Sequence, residues 1–175
     1  TSKNQLIEAP TLYDINRILD DFSLSMNSTE KIELVTSLGQ SFRKNYDNLR
    51  AHFASGNGDI VSLEDLLAGL RDSQPAGVCR DIAVGQAQIL DHLGSHNTYV
   101  LRFQTFGSGH ATVVTQISDN PSTLYKINYD ELTIDTHNLG IDKLHQNTTI
   151  PDIGIHYHFY NIDGKPVARL TSGLG

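Results

Sequence analysis

Cys79 is the single cysteine of the chain, and it stands directly before a segment with helical spacing. Apolar residues at positions 82, 83, 89, 90 and 93 predict a helix over residues 82–93 with one buried face, ended by Gly94. The first turn of a helix offers unpaired backbone N–H groups and the positive end of its dipole, which favour a thiolate over a thiol. Cys79 is therefore a candidate nucleophile, although a free cysteine also serves as a small buried hydrophobe.

A nucleophilic cysteine needs a base within hydrogen-bond reach, and a third group must hold that base in orientation. Among eight histidines, His110 follows the turn at residues 107–109 and opens a predicted strand, which places it at the rim of a sheet. A turn-capping role is the competing interpretation of His110. Its combination with Cys79 favours the catalytic one.

The third group is predicted from a hairpin loop centred near Asn120, which sets a residue near position 130 across from His110. Asp130 is the first choice, with a solvated hairpin charge as its alternative. Asn128 is second, because it lies two residues away on the same strand face and an amide can also hold an imidazole. Asp135 is third. A one-residue shift in register would change the choice.

An oxyanion formed during acyl transfer needs preorganised donors. The backbone N–H of Cys79 at the helix start is the first candidate, and the side-chain amide of Gln74, five residues upstream, is a second. An ordinary loop residue is the competing interpretation of Gln74. Arg80 and Asp81 are expected to complement the helix dipole or to pair locally.

The elements that would position these residues are helical first and extended second. Helical spacing covers residues 12–22, a second segment with N-cap candidates at 27–30, and a third from Ser62 to near Asp72, with a loop at 55–59. β-branched and aromatic residues then predict strands at 98–106, 111–117, 124–132, 155–162 and 167–171, with loops at 118–122 and 163–166. This order predicts an α+β fold, a helical N-terminal half followed by an antiparallel sheet packed on the helix of Cys79.

Composition narrows the class of protein. A chain of 175 residues with 38% hydrophobic residues predicts a single domain, 1–175, with a helical portion over 1–74 and the cysteine-bearing helix plus sheet over 75–175. One cysteine excludes an internal disulfide and a zinc site built on two thiolates of this chain. The net charge of -7, without clustered Lys or Arg, argues against a nucleic-acid partner.

The chain contains no apolar run of the roughly 18 to 20 residues that span a bilayer, so membrane insertion is not expected. Because it begins at Thr1, it is either a processed mature form or an excised segment. A processed form would fit a secreted or periplasmic location, which the sequence leaves undetermined.

Two motifs resemble those of the transglutaminase-like superfamily. That superfamily's cysteine helix has a G-x-C-x-D-x-A pattern leading into a helix that ends in Leu-Gly, matched here by Gly77-Val78-Cys79-Arg80-Asp81-Ile82-Ala83, Leu90 and Leu93-Gly94. The strand His110-Ala111-Thr112-Val113-Val114 is similar to its histidine strand, which commonly reads His-Ala followed by apolar residues. The resemblance covers about residues 75–135.

The resemblance implies a papain-like α+β core with a Cys-His-Asp triad and no metal or other cofactor. Cys79 would be the nucleophile, His110 the base and then the acid, and Asp130 the orienting residue. The chain departs from the pattern at Thr112, where an aromatic residue often follows His-Ala, and it lacks the tryptophan of the usual Trp-x-x-x-Asp third motif.

The sequence therefore predicts a thiol-dependent acyl-transfer enzyme acting on an amide bond, a peptidase or amidase with a protein, peptide or peptidoglycan-like substrate. One alternative is a catalytically inactive domain that binds a peptide or glycan. Another is a cross-linking transglutaminase or a deamidase. A metal site is the remaining hypothesis, because His156 and His158 share one face of a strand, but the sequence indicates no third ligand for them.

Overall fold

Five helices precede a sheet in the part of the chain that the structure describes. The structure is a computed structural model and describes residues 1–49, 61–74, 76–105, 108–117, 120–135, 149–150 and 155–160. The helices are α1 (Ser2–Glu8), α2 (Leu12–Ser25), α3 (Ser28–Leu49), α4 (Leu63–Asp72) and α5 (Cys79–His92). The three N-terminal helices predicted from apolar spacing correspond to α2, α3 and α4, and the seven-residue α1 was not predicted. The predicted loop at 55–59 lies outside the described residues.

Side-chain caps begin these helices where the sequence indicates. Asn27 Oδ1 accepts from the backbone N–H of Glu30 at 2.9 Å, and Glu30 Oε1 accepts from the N–H of Asn27 at 3.2 Å, which forms a capping box. Ser62 Oγ accepts from the N–H of Asp65 at 3.1 Å at the start of α4. These local signals explain why spacing and cap residues locate the helix starts.

The strands form one antiparallel sheet. They are β1 (Asn97–Thr105), β2 (Ser108–Ile117), β3 (Asn120–Asn128), β4 (Glu131–Asp135), β5 (Thr149–Ile150) and β6 (Ile155–Tyr160). Their order across the sheet is β4-β3-β2-β1-β6-β5, and each neighbouring pair is antiparallel. Because α5 packs against β1 and β2, the predicted α+β fold, with the sheet on the cysteine-bearing helix, is confirmed.

The predicted strand over residues 124–132 is wrong in its bounds. β3 begins at Asn120, inside the predicted loop, and the chain then turns at Tyr129 and Asp130 so that Asn128 pairs with Glu131. Tyr129 has φ 55°, and a positive φ at the first turn residue is what a two-residue hairpin requires. Tyr129 occupies the position where glycine would most readily supply the positive φ, so this turn was not predicted. The predicted strand at 167–171 and turn at 163–166 lie outside the described residues.

The core lies around α5, which contacts α3 as well as the sheet. All five predicted core positions of α5 are buried: Ile82, Ala83, Ile89, Leu90 and Leu93. Gly94 ends the helix as predicted, with φ +99°, a left-handed conformation that glycine adopts without strain. Burial on both sides holds α5 rigidly and fixes the position of Cys79 at its N-terminus.

Candidate active site

Cys79 is the first residue of α5, and a buried carboxylate shapes the turn that carries it. Asp81, only 2% exposed, accepts hydrogen bonds from the N–H of Val78 at 2.9 Å and the N–H of Val61 at 3.0 Å. Arg80 Nη2 lies 3.4 Å from Asp81 Oδ1, so the expected local pairing of these two residues is confirmed. Val78 has a hydrocarbon side chain, so the capping here comes from Asp81 alone.

Gly77 allows the segment before Cys79 to pack closely against Asp81 and Leu66. A Cβ at this position would lie 2.7 Å from Asp81 Cβ and 2.8 Å from Leu66 Cδ2, both too short for carbon atoms in contact. The glycine of the G-x-C-x-D pattern is thus explained, because no side chain fits at this position. It brings the segment before Cys79 against α4 and the capping carboxylate.

His110 lies in β2 opposite Phe103 of β1, and its ring is half-buried. Asn128 Oδ1 accepts a hydrogen bond from His110 Nε2 at 2.5 Å. The Cys79 thiol interacts with the same ring, and each of these two groups shifts the pKa of the other. Because Nε2 carries the proton donated to Asn128, Nδ1 is the ring nitrogen available to the sulfur.

Two opposing influences act on the pKa of Cys79. Burial raises it and is the largest single influence. The hydrogen bond and charge of His110, with the backbone N–H groups of Ala111 and Arg80, together outweigh burial and hold the pKa below the ordinary thiol value. The site therefore favours a thiolate.

The pKa of His110 moves in the complementary direction. Its hydrogen bond to Cys79 raises the pKa most strongly, burial opposes this, and the bond to Asn128 raises it further. The Cys79 charge adds to the rise, whereas the nearby Arg43 guanidinium lowers the pKa. A lowered thiol pKa and a raised imidazole pKa together favour a thiolate–imidazolium pair, whose titration belongs to both groups.

Asn128, the second choice for the third member, contacts His110, whereas Asp130 bonds elsewhere. The pairing of Val113 with Ile127 would set residue 130 across from His110 if β3 continued. β3 ends at Asn128 instead, and the turn carries Asp130 out of the ladder. The Asp130 carboxylate lies 3.3 Å from Arg43 Nη1.

Arg43 and Tyr129 border the site and were not identified as site residues from the sequence. The Tyr129 ring lies 5.5 Å from the His110 ring, centroid to centroid, and the Arg43 guanidinium lies 5.6 Å from the Tyr129 centroid. Arg43 Nη1 also lies 3.4 Å from Glu131, which in turn accepts from Asn128 Nδ2 at 3.4 Å. Burial raises the pKa of Tyr129 far above the ordinary phenol value, so its hydroxyl stays neutral.

Comparison with known families adds an independent observation. A family model described as a transglutaminase-like domain matches residues 23–156, well over half of the chain. The chain belongs to this family. The matched segment includes Cys79, His110 and Asn128, and the resemblance drawn from the two motifs is confirmed at the level of the superfamily. Searches of curated proteins and of solved structures found no significant match.

The other predicted site residues of this transglutaminase-like domain are Gln74, Asp135, His156 and His158. Gln74 is exposed, and its backbone is held by the Gly69 carbonyl at 2.9 Å and by the Asn45 amide at 2.9 Å, so its oxyanion role stays a prediction. Asp135 ends β4 opposite Leu124, four residues from the turn-side end of that strand. The side chains of His156 and His158 are outside the described set.

The described residues of this transglutaminase-like domain bring together no group of three or more His, Cys, Asp or Glu side chains able to hold a metal ion. Within the same ranges, no helix has both the length and the apolarity that crossing a bilayer demands.

Proposed function

We propose that this transglutaminase-like domain is a thiol-dependent acyl-transfer enzyme, a peptidase or amidase that cleaves an amide bond. The observation that carries the proposal is the interaction of Cys79, the first residue of α5, with His110, which lowers the thiol pKa and raises the imidazole pKa. Membership of the family supports it. The substrate class we propose is a protein, a peptide or a peptidoglycan-like amide.

The first half-reaction transfers the acyl group to sulfur. The Cys79 thiolate attacks the carbonyl carbon, and the carbonyl oxygen takes up the negative charge of the tetrahedral intermediate. As the C–N bond breaks, the His110 imidazolium gives its Nδ1 proton to the departing amine, and a thioester remains on Cys79. Asn128 holds the ring by accepting from Nε2, 2.5 Å away, so the proton that moves is on the side of the sulfur.

The second half-reaction regenerates the thiol site. Neutral His110 accepts a proton from a water molecule as the water oxygen attacks the thioester carbonyl. The C–S bond then breaks, which releases the carboxylic acid and restores the Cys79 thiolate. An amine in place of water would give cross-linking, and a side-chain amide as the first substrate would give deamidation. These outcomes share the acylation step and differ in the acyl acceptor or in the amide attacked.

The oxyanion is proposed to bind at the start of α5. Helix N-termini leave backbone N–H groups without partners inside the helix, and Cys79 is the first residue of α5. The N–H of Cys79 is therefore the first donor, with Gln74 as a candidate second donor from the approaching segment.

A peptide mixture tests this proposal. Wild-type protein would be incubated with a defined library of synthetic peptides and a primary amine such as cadaverine, and products would be read by mass spectrometry. New peptide termini indicate hydrolysis, amine-modified glutamine indicates cross-linking, and conversion of glutamine to glutamate indicates deamidation. Cys79→Ala and His110→Ala are the controls.

We expect new termini that Cys79→Ala abolishes and that His110→Ala lowers by roughly 10²–10⁴-fold, the usual contribution of a general acid–base. Product formation by Cys79→Ala equal to that of the wild type would contradict the proposal. Saturable peptide binding without any product from the wild type would favour the alternative of an inactive binding domain.

A further inference from the structure

Gln86 is a buried polar residue on the helix that carries Cys79. It lies about two helical turns beyond the cysteine, and its side chain is only 1% exposed. Its amide Nε2 donates to the carbonyl of Val35 in α3 at 3.1 Å and to the carbonyl of Tyr129 in the β3–β4 turn at 2.8 Å. One side chain thus joins three elements at a single point.

The turn that Gln86 holds is conformationally unusual. Tyr129 has φ 55°, a left-handed conformation that bulky residues rarely adopt and that persists only where surrounding contacts determine it. Gly39 of α3 provides the space, because a Cβ there would overlap the Tyr129 carbonyl oxygen and lie 2.5 Å from Gln86 Nε2. The Tyr129 carbonyl is therefore enclosed by α3 and fastened by α5.

The residue before this turn is Asn128, whose amide oxygen binds His110. Since β3 ends at Asn128, the direction of the turn decides where that amide lies. A hydrophobic side chain at position 86 would fill the core without a buried polar group. The hydrogen bond to the Tyr129 carbonyl explains a polar side chain at position 86, which core packing alone does not.

We infer that Gln86 is a positioning residue that fixes the β3–β4 turn through the Tyr129 carbonyl and so keeps Asn128 within hydrogen-bond reach of His110. The helix α5 thereby positions both the nucleophile Cys79, directly, and the orienting residue Asn128, through Gln86. This inference rests on the proposed function, because it assigns Gln86 a role in maintaining the thiolate–imidazolium pair.

Gln86→Met tests the inference, since methionine keeps the length and flexibility of the side chain but donates no hydrogen bond. The readouts are the pH dependence of Cys79 alkylation by iodoacetamide and the titration of His110 followed by NMR. Loss of the positioning bond lowers the His110 pKa and raises that of Cys79. We expect alkylation at neutral pH to slow by roughly three- to tenfold, the range for one hydrogen bond.

Gln88→Met is the matched control, because it makes the same substitution on the same helix at a position lining the cavity beside Leu12 and Asn16. We expect its alkylation profile to match that of the wild type. If Gln86→Met does not fold, Gln86→Asn keeps the amide but shortens its reach, and the same result is expected.

A double-mutant comparison separates positioning from general loosening of the fold. In an Asn128→Ala background Gln86 has nothing left to position, so Gln86→Met should have no further effect on alkylation. An equal slowing in both backgrounds, or a wild-type profile in folded Gln86→Met, would overturn the inference. An ordinary thiol pKa in the wild-type protein would instead overturn the proposed function itself.

Discussion

At the scale of single residues, the side chain that holds the His110 imidazole is a neutral amide. Asn128 accepts from Nε2 and so fixes the ring orientation, but it brings no negative charge to the imidazolium. The charge that does so is the Cys79 thiolate, whose hydrogen bond is the largest influence raising the His110 pKa. The pair therefore depends on mutual stabilisation, with Asn128 keeping the ring aligned.

Removal of the Asn128 amide should weaken that pair. Asn128→Ala lowers the His110 pKa and raises the Cys79 pKa, and we expect alkylation at neutral pH to slow by about 10- to 100-fold, the value of one charge-assisted hydrogen bond. Asp130→Ala is the control, because its carboxylate is paired with the partly exposed Arg43. A larger effect from Asp130→Ala would return the orienting role to the residue that the spacing first indicated.

At the scale of elements, the start of α5 depends on one buried carboxylate. Asp81 accepts from the backbone of Val78 and of Val61, so its loss leaves two N–H groups without their acceptor. We expect Asp81→Ala to lower the free energy of unfolding by roughly 2–6 kcal/mol, the range for two buried backbone N–H groups at about 1–3 kcal/mol each.

Thermal and urea denaturation measure this change. Asp91→Ala on the same helix is the matched control, because Asp91 pairs with the exposed His96 at the surface, 3.0 Å away. Its expected cost is about 0–1 kcal/mol. Equal losses of stability in the two variants would show that the Asp81 contacts do not support the helix start.

The helices and most strands could be predicted because their signals are local. Apolar spacing and the caps at Asn27 and Ser62 decide where helices begin, and the cysteine helix and the strand of His110 follow the same logic. The turn at Tyr129 has no such signal, because its positive φ is held by Gln86 and fits beside Gly39. Because tertiary contacts hold this turn, the end of β3 at Asn128 could not be read from local sequence. Counting residues along the predicted hairpin therefore favoured Asp130 over Asn128 as the partner of His110.

At the scale of the whole molecule, helices remote in sequence border the site. Arg43 and Asp130 are 87 positions apart, yet their side chains meet beside the ring of Tyr129. No local pattern in the sequence indicates such a contact, and Arg43 was not identified as a site residue. Contacts of this kind explain why the sequence identified Cys79 and His110, with Asn128 as second choice, but not Arg43 or Tyr129.

The N-terminal helix packs against α2, α3 and α4, although it precedes the residues matched by the family. Leu6 of α1 is fully buried, and Arg71 of α4 donates to the carbonyl of Ala9 at 2.9 Å. We expect Leu6→Ala to cost about 2–5 kcal/mol of stability and to leave the pH profile of Cys79 alkylation unchanged. Denaturation and alkylation measured on one preparation check this. A shifted profile would mean that α1 also supports the site.

The measurement that tests the central claim most directly is the rate of Cys79 alkylation by iodoacetamide against pH, followed by mass spectrometry, in the wild type and in His110→Ala. Because the Cys79 pKa is lowered chiefly by His110 against the cost of burial, the wild-type profile should rise below the ordinary thiol pKa of about 8.5. His110→Ala should move it upward. If both proteins show the same ordinary or raised pKa, the thiolate–imidazolium pair does not exist and the chain is a binding domain on a transglutaminase-like fold.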